Sequence, residues 1–140
     1  MFRVRQQDLP FQGSSHQFVG AEHGDVGISA FLLSALPGRG PGPHRHPYDE
    51  VQFIREGRRL WVVEGEEFEA GAGDILVIKA GEVHSFTAIG DEPLVQLDVH
   101  VNRAFIQENL RAPAAEKVRN GGVPGAVSAA DGGEPQGGGK

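Results

Sequence analysis

Four side chains stand at spacings that allow them to hold one metal ion: His44, His46, Glu50 and His84. Along a β-strand, residues two apart point to the same side, so His44 and His46 present both imidazoles to one point. Glu50 follows beyond Pro47 and opens a segment whose inward row is expected to be Glu50, Gln52 and Ile54, adding an anionic ligand. His84 comes after a turn at Gly81 and starts a later strand as the fourth candidate. Three imidazoles and a carboxylate suit a divalent first-row transition metal, and in an octahedral ion they leave neighbouring positions open. With a redox metal such a centre activates oxygen; with Zn(II), Mn(II) or Ni(II) it acts as a Lewis acid that stabilises an enolate. The ion's residual positive charge favours anionic ligands.

Other polar residues fall into register with these. In the last apolar segment Gln96, Asp98 and His100 alternate with Val95, Leu97, Val99 and Val101. Two readings follow from the alternation. Either the polar row faces water and the apolar row faces the packing between sheets, or the polar row lines an internal cavity. In the second case Asp98 or His100 serves as acid or base beside the metal, and Gln52, Phe86 and Gln96 line the pocket. Tyr48 and Arg45, between the ligands, are expected to point away or sit at the mouth. Trp61 is expected in packing. His16 and His23 belong to an outer strand and its turn and are excluded from the site.

The elements that must position these groups are short. Apolar residues recur with a period near two in His16 to Ala21, Val26 to Leu36, Glu50 to Glu56, Leu60 to Val63, Glu66 to Glu69, Ile75 to Ile78, Val83 to Ile89 and Leu94 to Val101. Such runs predict strands. Turn residues separate them, among them Pro37 to Pro43, Glu64-Gly65, Gly71 to Gly73 and Gly90-Asp91, and no gap has room for a crossover helix. The pattern is therefore all-β and antiparallel, a sandwich or barrel. Asn102 to Leu110 reads as a short C-terminal helix, with Asn102 as cap and Phe105, Ile106 and Leu110 on one face. The expected division is a folded domain over 1–111 and an Ala/Gly/Pro-rich tail over 112–140, too poor in large apolar residues to offset the entropy of ordering.

Charge and composition remove several classes of function. The chain has 140 residues with 19 acidic against 13 basic, a net charge of −6, and no basic run longer than Arg58-Arg59. Nucleic acid is an improbable partner for such a surface. Apolar runs are too short to span a bilayer, and the N-terminus carries no segment of signal-peptide type, so no membrane association and a cytoplasmic location are expected. With no cysteine, disulfides, thiolate metal sites and cysteine nucleophiles are ruled out.

At the same residues the chain resembles the cupin superfamily. Gly38, His44, His46, Glu50 and Gly57 match every fixed position of that family's first motif. In the second motif Gly73, Gly81 and His84 match, while Lys79 stands where proline is usual and Ala88 where asparagine is usual. Neither departure falls on a ligand. The resemblance implies an antiparallel jelly-roll barrel of one domain, with His44, His46, Glu50 and His84 around a single metal near its middle, and a homodimer. It further implies a dioxygenase-type enzyme, with Fe(II) favoured over Mn, Ni, Zn or Cu, acting on a small anionic molecule such as an organic acid or an oxygenated aromatic. A Lewis-acid isomerase or cyclase and a non-catalytic small-molecule binder are the alternatives.

Overall fold

The computed structural model describes residues 1–110. The expected tail, 112–140, lies outside the described residues. The chain forms β1 (Phe11–Gln12), β2 (Ser15–Phe18), β3 (Ser29–Ala35), β4 (His44–Arg45), β5 (Glu50–Glu56), β6 (Arg58–Val63), β7 (Glu66–Gly71), β8 (Ile75–Ile78), β9 (His84–Ile89), β10 (Leu94–His100) and β11 (Glu108–Asn109). One sheet has the order β1-β2-β3-β10-β5-β8 and the other β11-β4-β9-β6-β7. Every recorded pairing is antiparallel. The expected all-β, antiparallel two-sheet barrel is the architecture found.

Strand alternation divides each sheet into an inward and an outward row. Along β10 the buried residues are Leu94, Gln96, Asp98 and His100; along β5 they are Glu50, Gln52 and Ile54. On the facing sheet, His84, Phe86 and Ala88 of β9 lie opposite Val63, Trp61 and Arg59 of β6. One end of the interior is apolar, built from Leu33, Ala35, Ile54, Trp61, Ala70, Ile78, Phe86, Ala88 and Leu94. Fully burying each large member contributes about 1.5–3 kcal/mol. The other end is polar and holds the histidines.

Turns place the two sheets face to face. Gly57, between β5 and β6, has φ +82°, and a Cβ there would stand 2.5 Å from the Pro93 carbonyl oxygen. Glycine satisfies both the left-handed backbone and the close approach. Gly81, with φ +86°, reverses the chain ahead of His84 and donates its N–H to the His46 carbonyl at 2.8 Å.

The helix expected over Asn102–Leu110 is not formed. Among the described residues the one helical element is a 3₁₀ turn at Gln6–Asp8. Backbone groups that a helix would need are spent elsewhere. The Ile106 N–H donates to the Tyr48 hydroxyl, the Ile106 carbonyl accepts from His46, and the Leu110 N–H donates to Pro43. Glu108 and Asn109 pair with β4 instead, and Phe105 packs its ring 4.7 Å from that of Phe31. Tertiary contacts with the histidine segment override a weak local helix pattern.

Candidate metal centre

Three strands and the loop after β4 deliver the expected ligands to one point. His44 lies on β4, His46 just beyond it, Glu50 at the start of β5 and His84 at the start of β9, and all four are buried. The ligand atoms of His44, His46 and His84 lie within 4.8 Å of one another. Glu50 Oε1 is 3.3 Å from His46 Nε2 and 3.4 Å from His84 Nε2.

Backbone carbonyls orient the rings. His44 Nδ1 meets the Gly42 oxygen at 2.7 Å, His46 Nδ1 the Ile106 oxygen at 2.7 Å and His84 Nδ1 the Glu82 oxygen at 2.9 Å. A carbonyl oxygen only accepts, so each ring donates Nδ1–H and, when neutral, turns the lone pair of Nε2 inward. His46 Nε2, His84 Nε2 and Glu50 Oε1 have no hydrogen-bond partner among the described residues. Lone pairs crowded on a carboxylate oxygen with no proton between them form a site that a divalent cation would satisfy. The donor set, the tautomers and the orphaned atoms all fit such an ion.

Burial holds His44 well below its ordinary pKa of 6.5, assisted by the neighbouring His84 and His46. This keeps the ring neutral and able to bind metal. Burial alone would raise the Glu50 carboxyl, but the surrounding imidazoles, His100 foremost, outweigh it and hold Glu50 well below the usual carboxylate range.

The polar row of β10 faces inward. Gln96, Asp98 and His100 are 2%, 5% and 2% exposed, so the solvated-face reading is overturned and the interior reading stands. The apolar row of β10 faces outward. His100 joins the centre, with Nε2 3.6 Å from Glu50 Oε2. Its Nδ1 lies 3.0 Å from the Tyr48 hydroxyl, which also accepts the Ile106 N–H. If that hydroxyl gives its one proton to His100 Nδ1, the His100 proton sits on Nε2. In that tautomer His100 has an N–H where the other three have a lone pair; in the other, its Nε2 joins His46 and Glu50 as a further candidate ligand. Burial lowers its pKa to about 4.

Tyr48 corrects one expectation. It does not point away: it is buried, stacks on His46 at 5.2 Å and bonds His100. Pro47 turns the chain without carrying Tyr48 out of the interior, and burial raises the phenol so that it stays protonated. Arg45 does face outward, paired with Glu108 at 2.8 Å.

Deeper residues form a hydrogen-bonded row. Gln52 Nε2 donates to Glu50 Oε2 at 2.6 Å, Gln96 Nε2 to Asp98 Oδ1 at 2.7 Å, and Arg59 Nη1 to Gln96 Oε1 at 2.8 Å. Asp98 stands across the β5–β10 ladder from Gln52, one pair further in than Glu50 and His100. Phe86 stacks on Trp61, whose ring also faces His84, so Trp61 serves in barrel packing as expected. Arg59, also on the inward row by its period-two relation to Trp61, is fully buried and is not among the expected site residues.

Residues 31–100, half of the chain, match the family model of the cupin domain. The chain belongs to the cupin family. Lys79, in place of the usual motif proline, uses the N–H that proline lacks, donating it to Glu82 at 2.8 Å. Over 65 residues this cupin is 37% identical to a gentisate 1,2-dioxygenase of Ralstonia sp., a match covering 46% of this chain and 18% of that enzyme. A structure of Bacillus subtilis oxalate decarboxylase, studied for its Mn(II) centres, is similar with a TM-score of 0.62 and 24% identity, covering 72% of this chain and 29% of that one. An uncharacterised Klebsiella pneumoniae protein with a double-stranded β-helix domain is similar with a TM-score of 0.57 and 19% identity, covering 76% of this chain and 89% of that one. The chain thus spans less than a third of either enzyme's length.

Proposed function

We propose that this cupin is a metal-dependent enzyme of the dioxygenase type, acting on a small organic acid or an oxygenated aromatic, with His44, His46, Glu50 and His84 as ligands and Fe(II) as the favoured metal. The observation that carries this reading is the convergence of unpartnered His46 Nε2, His84 Nε2 and Glu50 Oε1, with every ring fixed through Nδ1. The similarity to a gentisate dioxygenase favours oxygen chemistry, and Mn(II) in the structurally similar decarboxylase keeps manganese, with Ni, Zn and Cu, among the alternatives. When bound, a redox metal supplies a place for substrate and oxygen to meet.

The chain's own residues supply the rest. Gln52 steadies Glu50 through its second oxygen. His100 would hold a proton at Nε2 beside Glu50 Oε2, where it could donate a hydrogen bond to a substrate oxygen, with Tyr48 fixing its ring. Asp98 acts one layer further in, through Gln96. Phe86 and Gln96 line the interior beneath the ligands.

The His100 proton also favours a second reading, Lewis-acid isomerisation or cyclisation with a non-redox metal, in which His100 moves a proton on an enolate. Metal analysis of anaerobically purified protein, followed by oxygen uptake with gentisate and other small acids, separates the two. Uptake dependent on iron supports the first; turnover without oxygen consumption supports the second. Bound metal with tight ligand binding and no turnover would leave a small-molecule binder.

We further infer a homodimer. On the outward face of the larger sheet Val77, Val51 and Val99 lie side by side across β8, β5 and β10, as do Ile75, Phe53 and Leu97. Ile75 and Val77 are 60% and 61% exposed. An apolar face of this kind is suited to cover by a second copy through a two-fold axis. Among the described residues no helix is long and apolar enough to cross a membrane; a cytoplasmic location is the reading that accompanies this proposal.

A further inference from the structure

Arg59 is fully buried, with Asp98 and Glu50 as opposing charges nearby, and two of its donors are unused. Nη1 donates to Gln96 Oε1 at 2.8 Å, but Nε and Nη2 have no hydrogen-bond partner among the described residues. These two nitrogens form the side edge of the guanidinium, where two N–H bonds run parallel and match the two oxygens of a carboxylate. The group lies over the rings of Trp61 and Phe86, with Cζ 4.0 and 4.6 Å from their centroids. Those faces hold it in place and shield it from water. Buried N–H donors left without an acceptor cost free energy even where Asp98 and Glu50 balance the charge, so a fork kept empty is poised for a ligand.

Its place in the barrel says which ligand. Arg59 is opposite Ala88 in the ladder, two residues along each strand from Trp61 and Phe86, and Val63 and His84 follow at the next inward pair. The guanidinium lies over Trp61, whose ring is 5.9 Å from that of His84. The free fork is therefore buried within the barrel, on the same inward row of the β6–β9 ladder as His84 and two inward pairs from it. A divalent ion together with Arg59 leaves this interior net positive even with Glu50 and Asp98 ionised.

We propose that Arg59 is the anchor for the carboxylate of a small organic anion whose other donor oxygen reaches the metal held by His44, His46, Glu50 and His84. The anchor selects carboxylates over their neutral analogues, because only an anion with paired oxygens satisfies both free N–H groups. This deepens the functional reading above and rests on it.

The test uses full-length, metal-loaded protein under anaerobic conditions, with metal content measured on every sample. Calorimetric titration compares gentisate and oxalate with the neutral analogue 2,5-dihydroxybenzamide, for wild type, Arg59→Lys and Arg59→Met. Lysine keeps the charge without the fork, and methionine fills the space over the rings. The expected result is unchanged metal content, carboxylate affinity reduced about tenfold or more in each variant, and unchanged binding of the amide. Carboxylate should also raise the melting temperature of wild type and not of Arg59→Met. Equal carboxylate affinity in wild type and both variants, or equal loss of carboxylate and amide binding, overturns the anchor and leaves Arg59 a packing residue. Metal-loaded wild type that binds neither carboxylate at millimolar concentration also overturns it. Wild type that takes up no metal fails the metal-centre reading instead. Should Arg59→Met not fold, Arg59→Lys decides.

Discussion

His46 and His84 each bring an unpartnered Nε2 to within 3.4 Å of Glu50 Oε1, whereas His16 lies on β2 away from the centre. His46→Ala and His84→Ala should therefore each lose most bound metal, and His16→Ala should lose none; elemental analysis of the three proteins checks this, and equal metal content would remove the site. Acid should expose the same residues. In chelated protein His44 and His100 have folded pKa values depressed below 6.5, His100 to about 4, by burial, and Glu50 is depressed below its ordinary value by the imidazoles that outweigh its burial. Their stabilisation is present above the unfolded pKa values and is lost as pH falls, because the unfolded chain then binds more protons. Urea midpoints of the chelated protein should decline from about pH 6.5 downwards, at about 1.4 kcal/mol per pH unit for each proton taken up on unfolding. A flat profile between pH 7 and about 4 would contradict the burial of neutral histidines.

Elements set how these side chains meet. The β5–β6 turn depends on Gly57, which combines φ +82° with a Pro93 oxygen 2.5 Å from any added Cβ. Gly57→Ala should destabilise the protein by more than about 1 kcal/mol, read as a lower denaturation midpoint. The segment after β10 shows the limit of local pattern. Its helix-like spacing was legible, but the Ile106 N–H and carbonyl serve Tyr48 and His46, so this stretch becomes part of the shell around the histidines. Tyr48→Phe removes the hydroxyl between Ile106 and His100. Metal content should be retained while the denaturation midpoint falls, by about 1 kcal/mol or more for a buried donor left unpaired; unchanged stability would show that the hydroxyl does not hold this shell.

For the whole molecule, the outward apolar rows of β8, β5 and β10 are the feature that a lone barrel leaves unexplained. Val77→Lys places a charge in the exposed strip and on an edge strand, where lysine disfavours pairing. Sedimentation should show wild type as a dimer and the variant as a monomer with the same circular dichroism; a monomeric wild type would dismiss the interface. Much of the molecule is readable in one dimension. Strand periodicity, turn residues and the spacing of Gly38, His44, His46, Glu50, Gly57, Gly73, Gly81 and His84 determine the antiparallel barrel and the four candidate ligands, because each depends on alternation within a strand or on a local backbone need. Which face of β10 turns inward, the recruitment of Tyr48 and the Ile106 backbone, and the burial of Arg59 over Trp61 and Phe86 were decided only in three dimensions. Alternation defines two faces but does not name the inner one; that choice belongs to the facing sheet, which offers hydrogen bonds and ring faces to groups that would otherwise remain in water.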